Sequence, residues 1–502
     1  MRRSVLAVAA GVTVLAAALA WTRVPFRWTQ VALAYMAYFR EYAQAVEVNG
    51  PSGLLSFVGL HPPAYSLVAL GLMEAEASGR VWMAVSAAFG ALAAGATALA
   101  AARLVPRAPV VAALVAGTLL ATWPHRVAYG LEPNNYPLLT LAVALQAWAF
   151  VAWTSAPDRR RDALLMAATT LGLWTHALFV TVPVGQALGL LGTGRARRMA
   201  GVTAVAAALC LPLVPGVLAV GGSVVNPGGG PLVVLGALLD GVTRYGPGGA
   251  LALGVGALAG LGAWSGRDEP GVRGLLAQGL LGLGLVALSI ARGTAAAHQF
   301  PYLLLFGTPT ALLAARAAAD RRAVAVGASL LLACTGGAWG ISEGARGRDA
   351  WDRAAVTHPM AARARSAWGP DTSLLLLGFP EGGDDDKDVL EPAMRFVPRA
   401  EPLLWEDPDI PGLTPADPYW GQPVALSGGR WLYTFTGFDP ERATVIADTL
   451  RSRGEPLVVL VSEIDRAPHE VERVVVWAEA RGARVLRGLR GVLILLDATG
   501  PR

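Results

Sequence analysis

Apolar residues occur in long unbroken blocks, near 4–21, 82–102, 108–123, 137–155, 163–175, 177–193, 200–220, 248–266, 273–291, 301–318 and 323–341. At 1.5 Å per residue most blocks are of the order needed to cross about 30 Å of hydrocarbon. They predict about eleven transmembrane helices. Basic clusters punctuate every second connection: Arg2-Arg3, Arg103 with Arg107, Arg159-Arg160-Arg161, Arg195 with Arg197-Arg198, Arg267 with Arg273, and Arg321-Arg322. Cytoplasmic loops carry such an excess of arginine, so the amino terminus is expected inside. The connections 22–62, 124–136, the turn Trp174-Thr175-His176, 221–247 and 292–300 are then expected to face outward. Residues 62–78 are apolar but short and carry Glu74 and Glu76, which suits a juxtamembrane or partly inserted helix. The start Met1-Arg2-Arg3 with Ala18-Leu19-Ala20 has features of a cleaved signal peptide. Its apolar run of about 17 residues exceeds the usual 7 to 15, which favours an uncleaved first crossing.

Beyond 342 the pattern changes. Ser373–Phe379, Trp431–Thr436, Leu457–Ser462 and Val492–Asp497 read as strands; Pro440–Arg453, closed by Gly454, and His469–Arg481 read as helices. The expected architecture is a mostly α polytopic membrane helix bundle, 1–342, with a small C-terminal α/β extracytoplasmic domain, 343–502.

Composition agrees with that division. The chain is 54% hydrophobic and only 15% charged, which excludes an ordinary soluble protein of 502 residues. Residues 1–342 hold 22 Arg against 11 acidic residues, a net +11; residues 343–502 hold 19 Lys and Arg against 25 acidic residues, a net −6. The positive charge is explained by topology, so nucleic acid is not an expected partner. Cys210 and Cys334 both lie in apolar runs, which leaves no disulfide framework or thiolate metal site. The run Asp384-Asp385-Asp386 with Asp388 lacks the spacing of a calcium loop and reads as a solvated acidic loop.

Ionisable residues near hydrocarbon are functional candidates by default. His61, His125, His176, His298, Arg126, Glu132 and Arg292 all fall at outward helix ends or connections, and the first outer loop adds Arg40 and Glu41. This composition suits an outward cavity that holds an anion beside a carboxylate. Arg and His neutralise phosphate by charge-assisted hydrogen bonds, and a carboxylate can take a hydroxyl proton. Interfacial anchoring is the competing explanation for each residue singly. Two prolines after His61 remove two amide donors and stiffen the chain's entry into the membrane.

Four stretches, in order, carry a family resemblance: HPPAYSLVALGLMEAEASG from His61, VAYGLEPNNYPLLTLAVAL from Val127, LGLWTHALFVTVPVGQALGLL from Leu171, and, more weakly, HQFPYLLLFGTPTALLAARA from His298. Together, over most of residues 39–320, they resemble the GT-C superfamily of polyprenyl-phosphate-sugar-dependent membrane glycosyltransferases. That class includes protein O-mannosyltransferases and lipid A aminoarabinose transferases. The resemblance implies an acidic base in the first outer loop. Here Arg40 stands in place of the family's first acid and Glu41 remains. It implies His61 near the lipid phosphate. In the second outer connection this chain keeps Glu132 and Tyr136, with Asn135 beside them, but has Asn134 where an arginine is usual. Near the late crossing Pro301 precedes Tyr302 in place of the usual arginine, which leaves Arg292 and His298 as substitutes.

The implied activity is an inverting transfer of a sugar from a polyprenyl-phosphate donor to an acceptor hydroxyl or amine at the outer face of the inner (cytoplasmic) membrane. The expected partners are membrane lipid, the lipid-linked sugar, and a glycan, lipid or protein acceptor. Glu41 is the catalytic candidate. His61, Arg126, Glu132, Asn135, Tyr136, His176, Arg292 and His298 are candidates for binding the lipid phosphate or substrate. A divalent cation is compatible with this chemistry but not indicated by any ligand spacing. Arg40 and Asn134 motivate an alternative, a protein that keeps the fold as a lipid-sugar binder or assembly partner without the chemistry. A transporter or flippase would show internal repeats with helices broken at midplane. No repeat is evident, and the polar residues are expected at the outer helix ends rather than mid-crossing.

Overall fold

The computed structural model describes residues 3–21, 39, 45–56, 62–75, 77, 79–123, 126–127, 130, 134–215, 234, 249–291, 304–319, 323, 327, 331, 373–378, 424–426, 430–436, 438, 440–462, 468–488 and 491–497. The chain separates into two compact units. One comprises Met1–Val24, Tyr42–Leu70 and Met83–Gly344, the other Pro25–Glu41, Gly71–Trp82 and Ala345–Arg502.

The described helices, in chain order, are α1 (Arg3–Trp21), α2 (Ala64–Glu74), α3 (Gly79–Leu104), α4 (Pro109–Ala121), α5 (Asn135–Ser155), α6 (Arg159–Leu173), α7 (Thr181–Gly189), α8 (Ala196–Ala208), α9 (Gly249–Ser265), α10 (Pro270–Ala291) and α11 (Leu304–Ala318). Among the described residues, Arg3–Trp21, Val81–Leu104, Asn135–Ser155 and Pro270–Leu288 are long and apolar enough to cross a membrane. α2 has 11 residues, roughly 16 Å at 1.5 Å per residue, about half the hydrocarbon thickness. That length fits the partial insertion expected of 62–78. The crossing expected at 323–341 falls almost wholly outside the described residues.

Burial follows helical periodicity. On α1, Val5, Ala9, Val12, Ala16 and Leu19 form one buried stripe, while Leu6 and Val14 face out. The stripe packs on alanines of α3 and α4, among them Ala91, Ala94, Ala98, Ala113 and Ala121. Small side chains bring helices close where lipid supplies no hydrophobic drive. α7 shows the same device against α10: a Cβ added at Gly185 would fall on the Gln278 backbone, and one at Gly189 on the backbone of Arg273 and Gly274. α5 is buried nearly all round, from Asn135 to Thr154, and is a central helix of the bundle.

One expectation is corrected here. The membrane interior is not free of polar groups, because four buried side chains form a continuous ladder midway along their helices. Thr169 Oγ1 on α6 donates to Gln146 Oε1 on α5 at 3.0 Å. Gln146 Nε2 donates to Gln186 Oε1 on α7 at 2.9 Å, and Gln186 Nε2 to Gln278 Oε1 on α10 at 2.9 Å. Neighbours in the ladder satisfy Gln146 and Gln186 fully and the Gln278 carbonyl oxygen, while Gln278 Nε2 meets no acceptor among the described residues.

The basic clusters gather at one end of the bundle. Arg195 donates to the Thr154 carbonyl at the end of α5, Arg198 pairs with Asp162 at the start of α6, and Arg316 at the end of α11 pairs with Glu269 just before α10.

In the other unit, β1 (Ser373–Gly378), β2 (Val424–Leu426), β3 (Arg430–Thr436), β4 (Leu457–Ser462), β5 (Arg484–Gly488) and β6 (Gly491–Leu496) form one mixed sheet in the order β2-β3-β1-β4-β6-β5. β1 runs parallel to both β3 and β4, and the other pairings are antiparallel. Two helices, α12 (Pro440–Ser452) and α13 (Pro468–Glu479), join one hydrophobic cluster with Leu457, Val459 and Val461 of β4 and Val492, Ile494 and Leu496 of β6. Alternate residues of each strand share a face, which is why these two sets pack together. Gly454 and Gly482, at φ +74° and +71°, take the left-handed conformation that ends each helix. The short β2 and the arginine-bearing β5 are additions to the strands expected from the sequence.

Candidate functional site

The opposite end of the bundle, where α5 begins, gathers three of the quoted stretches. The Ala64 amide, at the start of α2 after the double proline, donates to the Trp174 carbonyl at 2.8 Å. Asn135 Nδ2 donates to the Thr175 carbonyl at 3.2 Å. The rings of Tyr136 and His176 lie 6.2 Å apart between centroids. Stretches more than 35 residues apart thus meet because each turns at the same helix ends.

Local hydrogen bonding sets each side chain. Asn134 is the N-cap of α5, its Oδ1 accepting the Tyr136 amide at 2.9 Å. His176 caps the short 3-10 turn Ala177–Val180, its Nδ1 accepting the Leu178 amide at 3.1 Å. An imidazole that accepts at Nδ1 is in its neutral Nε2–H form there. Its side chain is wholly buried, as is that of Asn135. Tyr65 on α2 shares a 3.0 Å hydrogen bond with Ser86 on α3 and packs edge-on against Phe89.

Arg126 lies one residue beyond that contact on α3: a Cβ at Gly90 would come within 3.5 Å of Arg126 Nη1. The guanidinium is 1% exposed. Its Nη1 makes a long 3.3 Å bond to the Ala16 carbonyl of α1, while Nε and Nη2 meet no acceptor among the described residues. Burial draws its pKa down to about 10. A buried cation whose donors go unmet is costly to hold.

The structure therefore brings Asn135, Tyr136 and His176 together, while Arg126 is buried apart from them, beside Gly90 of α3 and the Ala16 carbonyl of α1. Glu41, His61, Glu132, Arg292 and His298 lie outside the described residues, as does the acidic run 384–388. Among the described residues, no group of three or more His, Cys, Asp or Glu could hold a metal ion. The glutamine ladder was missed by a reading that weighed ionisable groups. Its signal was a single amide inside each of three apolar blocks, 137–155, 177–193 and 273–291.

Four of the described helices are long and apolar enough to cross a membrane, and the fold is similar to that of a solved structure. The crystal structure of ArnT from Cupriavidus metallidurans in the apo state is similar over 93% of this chain and 94% of its own. Its TM-score is 0.53 and its identity 13%, so the likeness is one of fold. No family model and no curated protein matches the sequence.

Proposed function

We propose that the protein is an inverting glycosyltransferase that moves a sugar from a polyprenyl-phosphate donor to an acceptor hydroxyl or amine at the outer membrane face. The observation that carries this reading is Arg126, buried with two donors unmet among the described residues, on a fold similar to that of ArnT. In this reading the bundle holds about eleven crossings, 1–342, and the C-terminal α/β domain, 343–502, stands outside the inner membrane. Glu41 takes the acceptor proton, the acceptor atom attacks the anomeric carbon, and the bond from that carbon to the phosphate oxygen breaks. The lipid phosphate leaves with the electron pair. Arg126 and His61, with Arg292 or His298, hold its charge, which fixed cations stabilise far more in a site of low dielectric than in water. Glu132, Asn135, Tyr136 and His176 shape the walls that hold the sugar.

Turnover of a radiolabelled polyprenyl-phosphate sugar by the purified protein tests the proposal, with Glu41→Gln and Arg126→Gln alongside the wild type. Loss of general-base catalysis predicts a fall of about 10²- to 10⁴-fold for Glu41→Gln with donor binding retained. Arg126→Gln is expected to weaken donor binding as well. Full activity of Glu41→Gln would refute the assignment of the base. Asn134 and Asn135 serve backbone contacts here, which favours the binding-protein alternative; donor binding by wild type without turnover of any donor would establish it.

A further inference from the structure

Trp82, in the first turn of α3, has no part in the site described above. Its side chain is 2% exposed, and its ring stacks on that of Phe39 with centroids 6.1 Å apart and planes inclined by 21°. Phe39 is buried to the same degree. A tryptophan at a helix end in a membrane protein is ordinarily an interfacial anchor, with its indole at headgroup level. Trp21 and Trp264, 54% and 70% exposed, have that character, and Trp82 does not. A buried stacked pair gives up rotamer freedom on both sides and in return fixes one chain segment on another. The segment fixed here is the first outer connection. Phe39 stands two residues before Glu41, so the two Cα atoms lie within about 7 Å of each other whatever the local conformation. One turn further along α3, Ser86 shares its 3.0 Å hydrogen bond with Tyr65, four residues after His61. Residues four apart lie on one face of a helix, so successive turns of α3 grip the two stretches that carry the candidate base and the candidate phosphate ligand.

We infer that Trp82 is a positioning residue for the proposed transfer: by clamping Phe39 it sets the backbone on which Glu41 stands, and with it the reach of the carboxylate to the acceptor. The inference rests on the reading of Glu41 as the base. General-base catalysis demands a carboxylate within hydrogen-bond distance of the proton it takes. A misplacement of about 1 Å costs on the order of 10²-fold in rate. Recognition of the lipid phosphate does not pass through this stack, so donor affinity is expected to survive its loss. Trp82 touches neither donor nor acceptor in this account and acts only through Glu41.

The test offers the full-length protein, in detergent, polyprenyl-phosphate mannose, glucose and arabinose in turn. It measures kcat and donor KM for wild type, Trp82→Leu, Trp82→Phe, Glu41→Gln and the double variant Trp82→Leu/Glu41→Gln. Trp82→Leu is expected to lower kcat by about ten-fold or more, with donor KM within about two-fold of wild type. Trp82→Phe keeps a ring on Phe39 and should recover most of that loss. Trp264→Leu, which removes an exposed tryptophan, should turn over as wild type does. The double variant should be no slower than Glu41→Gln alone, because a residue that acts through Glu41 then has nothing left to act on. Where Trp82→Leu does not fold, Phe39→Leu loosens the stack from its other side and carries the same expectations. Tryptic cleavage after Arg40, followed by mass spectrometry, reads the loop without turnover; it should quicken in Trp82→Leu and not in Trp82→Phe. The inference alone is overturned if Glu41→Gln is inactive while Trp82→Leu turns over as wild type does, if the two losses multiply in the double variant, if Trp82→Leu raises donor KM and leaves kcat unchanged, or if it leaves cleavage after Arg40 unchanged. A fully active Glu41→Gln, or a wild type that turns over none of the three donors, fails the reading of the base, and the inference falls with it.

Discussion

At Asn134 the resemblance leads one to expect an arginine, yet the position begins a helix. Asn is among the preferred residues there because its short side chain can accept the amide two residues on, and Arg has no acceptor to offer. The 2.9 Å bond to the Tyr136 amide is that cap. Asn134→Ala should therefore cost about 1 kcal/mol and Asn134→Asp close to nothing, measured by chemical unfolding in detergent. An Asn134→Arg variant as stable as wild type would show that the cap does not matter. At the other end, Asp162 accepts Trp153 Nε1 at 2.7 Å and both Nε and Nη2 of Arg198. The Arg198 guanidinium holds its carboxyl below the usual carboxylate range. A folded-state pKa below the unfolded value of about 3.9 gives stability that is present above that pH and lost as pH falls through the folded value. Wild type and Asp162→Asn should then differ in melting temperature at neutral pH and converge in strong acid. The gap should be modest because the pair is partly solvated. Curves that stay parallel down to pH 3 would remove the carboxylate from this account.

Between helices, the ladder Thr169–Gln146–Gln186–Gln278 shows what hydrophobic pattern conveys and what it leaves out. The apolar blocks disclose the helices because burial in lipid demands them. They do not disclose partners, because an amide in an apolar run looks the same whether it meets another helix or a lipid chain. Arg126 was legible as a candidate because a charge in an outer connection is rare. Its burial against α1 and α3 was not, since that depends on helices brought together from distant parts of the chain. In the ladder Gln186 both accepts and donates, so Gln186→Leu strands two buried groups. A cost of about 1 to 3 kcal/mol is expected. Gln278→Leu strands only Gln186 Nε2 and also removes the unmet Nε2 of Gln278, so it should cost less. Replacing all three glutamines by leucine should recover part of the loss, since no amide is left unpaired. Stability measured by unfolding in detergent orders the variants, and Gln278→Leu falling below Gln186→Leu would contradict the ladder's direction.

For the whole molecule, the division of charge makes a claim that the helices alone do not. Residues 1–342 hold twenty-two arginines against eleven acids, and the residues beyond carry a net −6; under the proposed topology the two parts meet different solvents. The structure adds that clusters far apart in sequence share one end of the bundle, since Arg195, Arg198 and Arg316 all bond to residues at that end. Random placement of loop arginines would scatter them over both ends. If the positive-inside rule governs this chain, a cysteine at exposed Arg160, in a variant with Cys210 and Cys334 replaced by serine, should react with a membrane-impermeant maleimide only in inside-out vesicles. A cysteine at exposed Asp448 on α12 should react only in right-side-out vesicles. Labelling of both from the same side would reverse the parity of the crossings. It would place the C-terminal residues on the arginine side and leave the proposed transfer at the outer face without its extracytoplasmic domain.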